Sequence, residues 1–325
     1  MELFSILFLG QALWLWLLFL GLVLALLAFD LGVLNRDGHD ISVRESLWLS
    51  TFYIACGLAF GGFVWWQLGR DSAFDYFTGF VVEKSLAVDN IFVMAMIFSA
   101  FAIPRALQHR VVFWGILGVI VLRGIMIGLG ATLVARYEWV LLIFAVFLVV
   151  TGAKMLMSLG KPETDAPPAW IATLVGRMRV TRRLHGRAFF VRRPDLSRRG
   201  GTRLWATPLF AALVAIEAAD LVFAVDSVPA VLAITTDPFI VYTSNIFAIL
   251  GLRALYFALA AILHRFHGLK PALAVLLIFI GGKVLVAAAL GIHKVPPAFS
   301  LGVTGLILGA GLAWSLFSTR NANKA

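Results

Sequence analysis

The chain has 325 residues, of which 61 % are hydrophobic and only 14 % charged, and its mean hydropathy is +0.95. That balance excludes a soluble globular domain and points to a chain that crosses a bilayer many times. The net charge of +10 does not imply a nucleic-acid partner, because residues 159–204 hold eleven Lys and Arg against Glu163, Asp165 and Asp195 and so supply eight of the ten charges.

A spanning helix needs roughly 20 predominantly apolar residues, and about nine such runs follow one another along the chain: 4–29, 47–67, 74–101, 109–134, 138–158, 205–235, 239–263, 271–291 and 296–317. None alternates with the period of two expected of barrel strands, so helices satisfy the backbone and the fold class is all-α and polytopic. The first run lacks the basic flank of a signal peptide and is too long for its apolar region, so it reads as a retained helix. The second carries the single cysteine, Cys56, which can form no intrachain disulfide and reads as a small buried residue. By the positive-inside rule the arginine-rich 159–204 segment is cytoplasmic. Alternation from there puts the 35–46 segment, Arg105–Arg110, His264–Lys270 and the C-terminal tail inside, and the N-terminus outside. The expected organisation is a single membrane domain, with 1–73 and 292–325 as flanking helices.

The third and sixth runs contain carboxylates where an apolar helix should have none. Residues 83–90 read EKSLAVDN and residues 220–227 read DLVFAVDS, so Glu83 aligns with Asp220 and Asp89 with Asp226. The similarity continues from ILGVIVLRG before Gly124 to AILGLRA around Arg253, and from VVTGAKML around Lys154 to FIGGKVLV around Lys283. Each unit, 74–158 and 205–291, is three helices long. An odd number of helices makes the second copy enter from the opposite side, the inverted-repeat pattern of secondary transporters, whose sites lie near the midplane on interrupted helices. Pro229 removes a backbone donor and clashes with the carbonyl of Val225, which predicts that the turn carrying Asp226 unwinds. That would matter, since six residues of intact helix separate Asp220 from Asp226 by about 9 Å and about 120°.

A charge at the bilayer centre costs at least about 2.5 kcal/mol, so Glu83, Asp89, Glu217, Asp220 and Asp226 together are too expensive for packing alone. Lys84, Arg123, Lys154, Arg253 and Lys283 also fall within the runs and are expected to act as internal counter-ions. The acid oxygens, with Asn90 and Ser227, suit a hard divalent cation such as Mn²⁺, Mg²⁺ or Ca²⁺. The six histidines lie in loops or at helix ends, and no nucleotide-binding glycine pattern appears, which disfavours a zinc cage and ATP hydrolysis. Neither a placed histidine nor a nucleophile with a partner base indicates an enzyme. Asp30, near the end of the first run, is expected at the headgroup boundary facing the inner mouth of the site. A metal sensor or scaffold would use the same acids, although binding alone needs no two-sided access.

The segments FDLGVLNR at 29–36, EKSLAVDNIFV at 83–93 and EAADLVFAVDSVPAV at 217–231 resemble the most distinctive motifs of the TerC/Alx family of bacterial integral membrane proteins, and the likeness covers nearly the whole chain. The resemblance implies manganese efflux across the cytoplasmic (inner) membrane, links to tellurite resistance and alkaline pH, and metal ligation by Asp30, Glu83, Asp89, Asn90, Glu217, Asp220 and Asp226. Protons are the expected coupling ion, because no nucleotide site is in evidence.

Overall fold

The computed structural model describes residues 6–34, 43–158, 173, 176, 178–181, 183–194, 202–259, 269–291 and 295–322; the side chains of Asp89, Asp226 and Arg253 fall outside the description, as do His39, His264, His267 and His293. Ten helices carry the described fold: α1 (Leu13–Leu34), α2 (Val43–Leu68), α3 (Arg70–Ala100), α4 (Arg105–Arg136), α5 (Glu138–Met157), α6 (Pro208–Leu232), α7 (Pro238–Leu250), α8 (Leu252–Leu259), α9 (Leu269–Ala289) and α10 (Pro297–Ala322). Seven of them, α1, α2, α4, α5, α6, α9 and α10, are long and apolar enough to cross a membrane. The third expected span is present as α3, 31 residues long, but its apolar character is diluted by the very charges that single it out.

Three expectations need correction. The first helix begins at Leu13 rather than near residue 4, because Leu7–Phe8 and Gln11–Ala12 pair as an antiparallel ribbon. Its turn, Leu9–Gly10, has φ of 47° and 84°, which no helix can accommodate. The run 239–263 is not one helix: it stops at Leu250 and restarts at Leu252, with Gly251 between. Conversely, α6 is helical from Pro208 to Leu232 and does not unwind at Asp226. Pro229 lies in its last turn, where a missing donor deprives one carbonyl and leaves little helix beyond it to displace.

Aromatic side chains gather α1, α2 and α7 into the main core. Phe60 meets Phe247 at 4.7 Å between ring centres and Trp16 meets Phe239 at 5.1 Å, and Phe19 touches Phe60, Phe239, Tyr242 and Phe247. In lipid there is no hydrophobic drive between apolar helices, so close approach at small residues has to supply contact energy. The α5–α9 crossing does this twice. A Cβ on Gly152 of α5 would stand 2.6 Å from the carbonyl oxygen of Ala274 on α9, and a Cβ on Gly281 of α9 would run into the carbonyl oxygen of Ala145 on α5. Each glycine meets the residue seven places before the other, so one contact is made twice with the helices exchanged, as across a two-fold interface. The neighbours continue the pattern: α3 packs on α7, and α6 packs on α4.

Within the basic segment, Phe190–Pro194 (β3) and Thr202–Ala206 (β4) pair as an antiparallel ribbon in the register Phe190 to Ala206. Its base is tied to the start of α6: the Thr207 hydroxyl donates to the carbonyls of Ala188 (2.8 Å) and Phe189 (3.1 Å), and Phe190 lies 4.3 Å from Phe210 between ring centres.

Candidate functional site

Four helices bring polar side chains to one point, each from near its middle. On α3, Glu83 and Asn90 are two helical turns apart and share a face, and Asp220 and Ser227 repeat that spacing on α6. Arg123 comes from α4 and Asn245 from α7. All are buried: exposure is 0 % for Arg123 and Asn245, 1 % for Glu83, 3 % for Ser227, 8 % for Asn90 and 9 % for Asp220.

Arg123 is the hub. Its Nε and Nη2 donate to the two oxygens of Asp220 at 3.2 and 3.0 Å, a bidentate fork of the strong, directional kind. Its Nη1 donates to Glu83 Oε1, to Ser227 Oγ at 3.1 Å and to Asn245 Oδ1 at 3.1 Å. The Asn90 amide donates to Asp220 Oδ1 at 3.4 Å. A second bond fixes the height of α7 against α4, for the Tyr242 hydroxyl donates to the Ile120 carbonyl at 3.0 Å. Tyr242 and Ile120 are each three residues before a hub residue, so this bond sets Asn245 beside Arg123.

The hub is incompletely satisfied. Glu83 Oε2 and Asn245 Nδ2 are buried without a hydrogen-bond partner, and so are both carboxylate oxygens of Glu217. Glu217 does not join Arg123. From α6 it packs against α4 over Gly115 and Gly118, where a Cβ at Gly118 would stand 2.5 Å from Glu217 Oε1. Only glycine there leaves room for the carboxyl group. A buried polar atom without a partner costs about 1–3 kcal/mol, more when charged, and the hub itself leaves two of them, Glu83 Oε2 and Asn245 Nδ2.

Of the expected counter-ions whose side chains are described, Arg123 is the one placed between two of the acids. Lys84 Nζ instead donates to the Ala248 carbonyl at 2.9 Å. There it faces the buried C-terminal end of α7, and a Cβ on Gly251 would stand 2.8 Å from it. A cation at a helix C-terminus is favourable on charge grounds, and this one anchors the interruption in the chain. Lys154 is exposed in the last turn of α5, and Lys283 donates to Ser300 Oγ at 3.1 Å. Asp30 is 4 % exposed and lies within α1, four residues before its end. Among the described residues, no three His, Cys, Asp or Glu side chains are placed to hold one metal ion; Arg123 occupies the space between Glu83 and Asp220.

Asn245 escaped the sequence reading. Its signal was the polar triplet Thr243, Ser244 and Asn245 inside an apolar run, three residues with no exposure at all.

The chain matches the family described as integral membrane protein TerC over residues 68–323. An uncharacterized membrane protein of Myxococcus xanthus is 43 % identical, over 95 % of this chain and 93 % of its own. Another, of Rickettsia bellii, is 43 % identical over 91 % and 95 %. The Escherichia coli K12 protein Alx, which bears the name of a membrane-bound redox modulator, is 44 % identical over 90 % and 91 %. No solved structure matches the chain. With the acid-bearing helices, the hub arginine and the C-terminal spans all inside the matched region, the chain belongs to the TerC family of integral membrane proteins.

Proposed function

We propose that the protein is a secondary transporter that exports divalent metal ions, Mn²⁺ foremost, across the bacterial cytoplasmic membrane in exchange for protons. The observation that carries this reading is the buried Glu83–Arg123–Asp220 cluster at the middle of three long helices. Ionisable groups at that depth are costly and mark ion paths. Unpartnered carboxylate oxygens on Glu83 and Glu217 add acceptors of the hard type that Mn²⁺ takes. The reciprocal α5–α9 contact supports an inverted repeat of the two three-helix units, and the interruption at Gly251 supports a discontinuous helix beside the site. The outward direction and the choice of manganese rest on the family resemblance. The redox name of the Escherichia coli relative transfers no cysteine pair here, since Cys56 is the single cysteine of the sequence.

The test is Mn²⁺ flux in proteoliposomes. Asp89→Asn and Asp226→Asn should each abolish flux while the protein still inserts, because a neutral amide of the same size cannot replace the charge. The double variant should be no worse than either single one, since residues acting as a unit are not additive. Near-normal flux in either variant removes that residue from the site, and no flux in the unaltered protein overturns the transport reading.

A further inference from the structure

A guanidinium has five N–H donors in a rigid planar fork, and here they are engaged on two sides by acceptors of different kinds. One side meets the Asp220 carboxylate through Nε and Nη2. On the other, Nη1 meets the Glu83 carboxylate and also two neutral oxygens, Ser227 Oγ and Asn245 Oδ1, both at 3.1 Å. One positive charge therefore stands between two negative ones in a space closed to water, and the trio is left with a deficit of one.

This charge count discriminates between incoming ions. A monovalent cation that displaced Arg123 would bring the same charge without the bidentate geometry, so the exchange gains nothing and forfeits several charge-assisted hydrogen bonds. A divalent cation brings twice the charge and neutralises the pair. The displaced guanidinium also needs somewhere to stay, because an arginine stripped of partners inside a protein is strongly destabilising. Ser227 and Asn245 supply that place, being acceptors that carry no charge the metal would claim. Asn245 suits the part: its amide oxygen already accepts from Arg123 Nη1 at 3.1 Å.

We propose that Arg123 is the valence filter of the site, a built-in monovalent cation that divalent ions displace from Glu83 and Asp220 and that Na⁺ and K⁺ do not, with Ser227 and Asn245 docking the displaced guanidinium. The proposal rests on the reading that these carboxylates take a cation, and it adds what sets the accepted charge.

The experiment measures Mn²⁺ binding to the full-length protein in nanodiscs, with NaCl exchanged for N-methylglucamine chloride at constant ionic strength. In the unaltered protein the exchange should leave the apparent Kd unchanged. In Arg123→Gln, Mn²⁺ should bind more tightly without Na⁺, and Na⁺ should then raise the apparent Kd by at least about tenfold, the worth of one charge-assisted hydrogen bond. Arg123→Lys, which keeps the charge but loses the fork, should be intermediate. Asn245→Leu, which leaves the charged trio intact, provides an independent reading: Mn²⁺ affinity should fall by at least about tenfold, with Na⁺ still without effect. Na⁺ competition in the unaltered protein, its absence in Arg123→Gln, or unchanged affinity in Asn245→Leu overturns the filter while leaving metal binding in place. Absence of Mn²⁺ binding in the unaltered protein overturns both the filter and the transport reading.

Discussion

Arg123, with no exposed surface, is held by two carboxylates and two neutral oxygens from three other helices, so its charge is both a stabilising contact and a liability. Removing one acid should reveal what the contact is worth. Asp220→Asn keeps the shape and leaves Glu83 to balance the arginine, but weakens the bidentate charge-assisted bonds under the fork, a loss of about 1.5–3 kcal/mol. A thermal melt in detergent should show that loss, and Arg123→Gln should cost less on the Asp220→Asn background than alone, since the two changes act on one interaction. A double variant that melts at the sum of the single losses would mean the pair is not coupled. At this scale the acids were legible because a carboxylate in an apolar run is anomalous on sight. Their partners were not. Five basic residues lay at plausible depths, and only packing separates Arg123 from Lys84, which went to a helix end, and from Lys154, which is exposed. Asn245 was harder still, for its bond crosses 122 positions and no spacing rule reaches so far.

Helices were legible wherever an apolar run is bounded by polar residues: α2, α4, α5, α9 and α10 start and stop within a few residues of the runs that announced them. Interruptions were not, because they depend on what fills the space beside the backbone. Proline suggested a break in α6 that did not occur, while Gly251, with Lys84 Nζ against it, marks one that did. The glycines of α5 and α9 make a sharper element-scale prediction. Gly281→Ala places a methyl group on the Ala145 carbonyl, and Gly152→Ala does the same at Ala274. Backbone cannot retreat as a side chain can, so each should cost about 1–3 kcal/mol through forced separation of the helices. Melting temperatures should fall alike for both. A neutral result at Gly281 together with a loss at Gly152 would show that the crossing is not reciprocal in energy.

At the scale of the molecule, outward movement of a divalent ion against an inside-negative potential costs about 4.6 kcal/mol per 100 mV, from roughly 2.3 per charge, so the proposed export requires coupling. In proteoliposomes, an imposed proton gradient that draws protons opposite to the metal should accelerate Mn²⁺ flux, and collapsing it with a protonophore should remove the acceleration. Flux indifferent to the gradient would remove protons from the cycle. The duplicated carboxylate motif was legible as a sequence repeat, but the packing was not, because a repeat says nothing of α5 choosing α9 as its partner through Gly152 and Gly281.

That choice has a consequence for biosynthesis. The glycine face of α5 is complementary to a helix that lies about 130 residues later in the chain, and at about 5–20 residues per second the ribosome takes roughly 7–25 s to deliver it. During that interval the newly inserted half has a groove shaped for a helix not yet made, and lipid or another membrane chain must line it. The molecule is therefore most vulnerable to misassembly before its second half has left the translocon, and a nascent chain arrested just before α9 is the species on which membrane quality control would act.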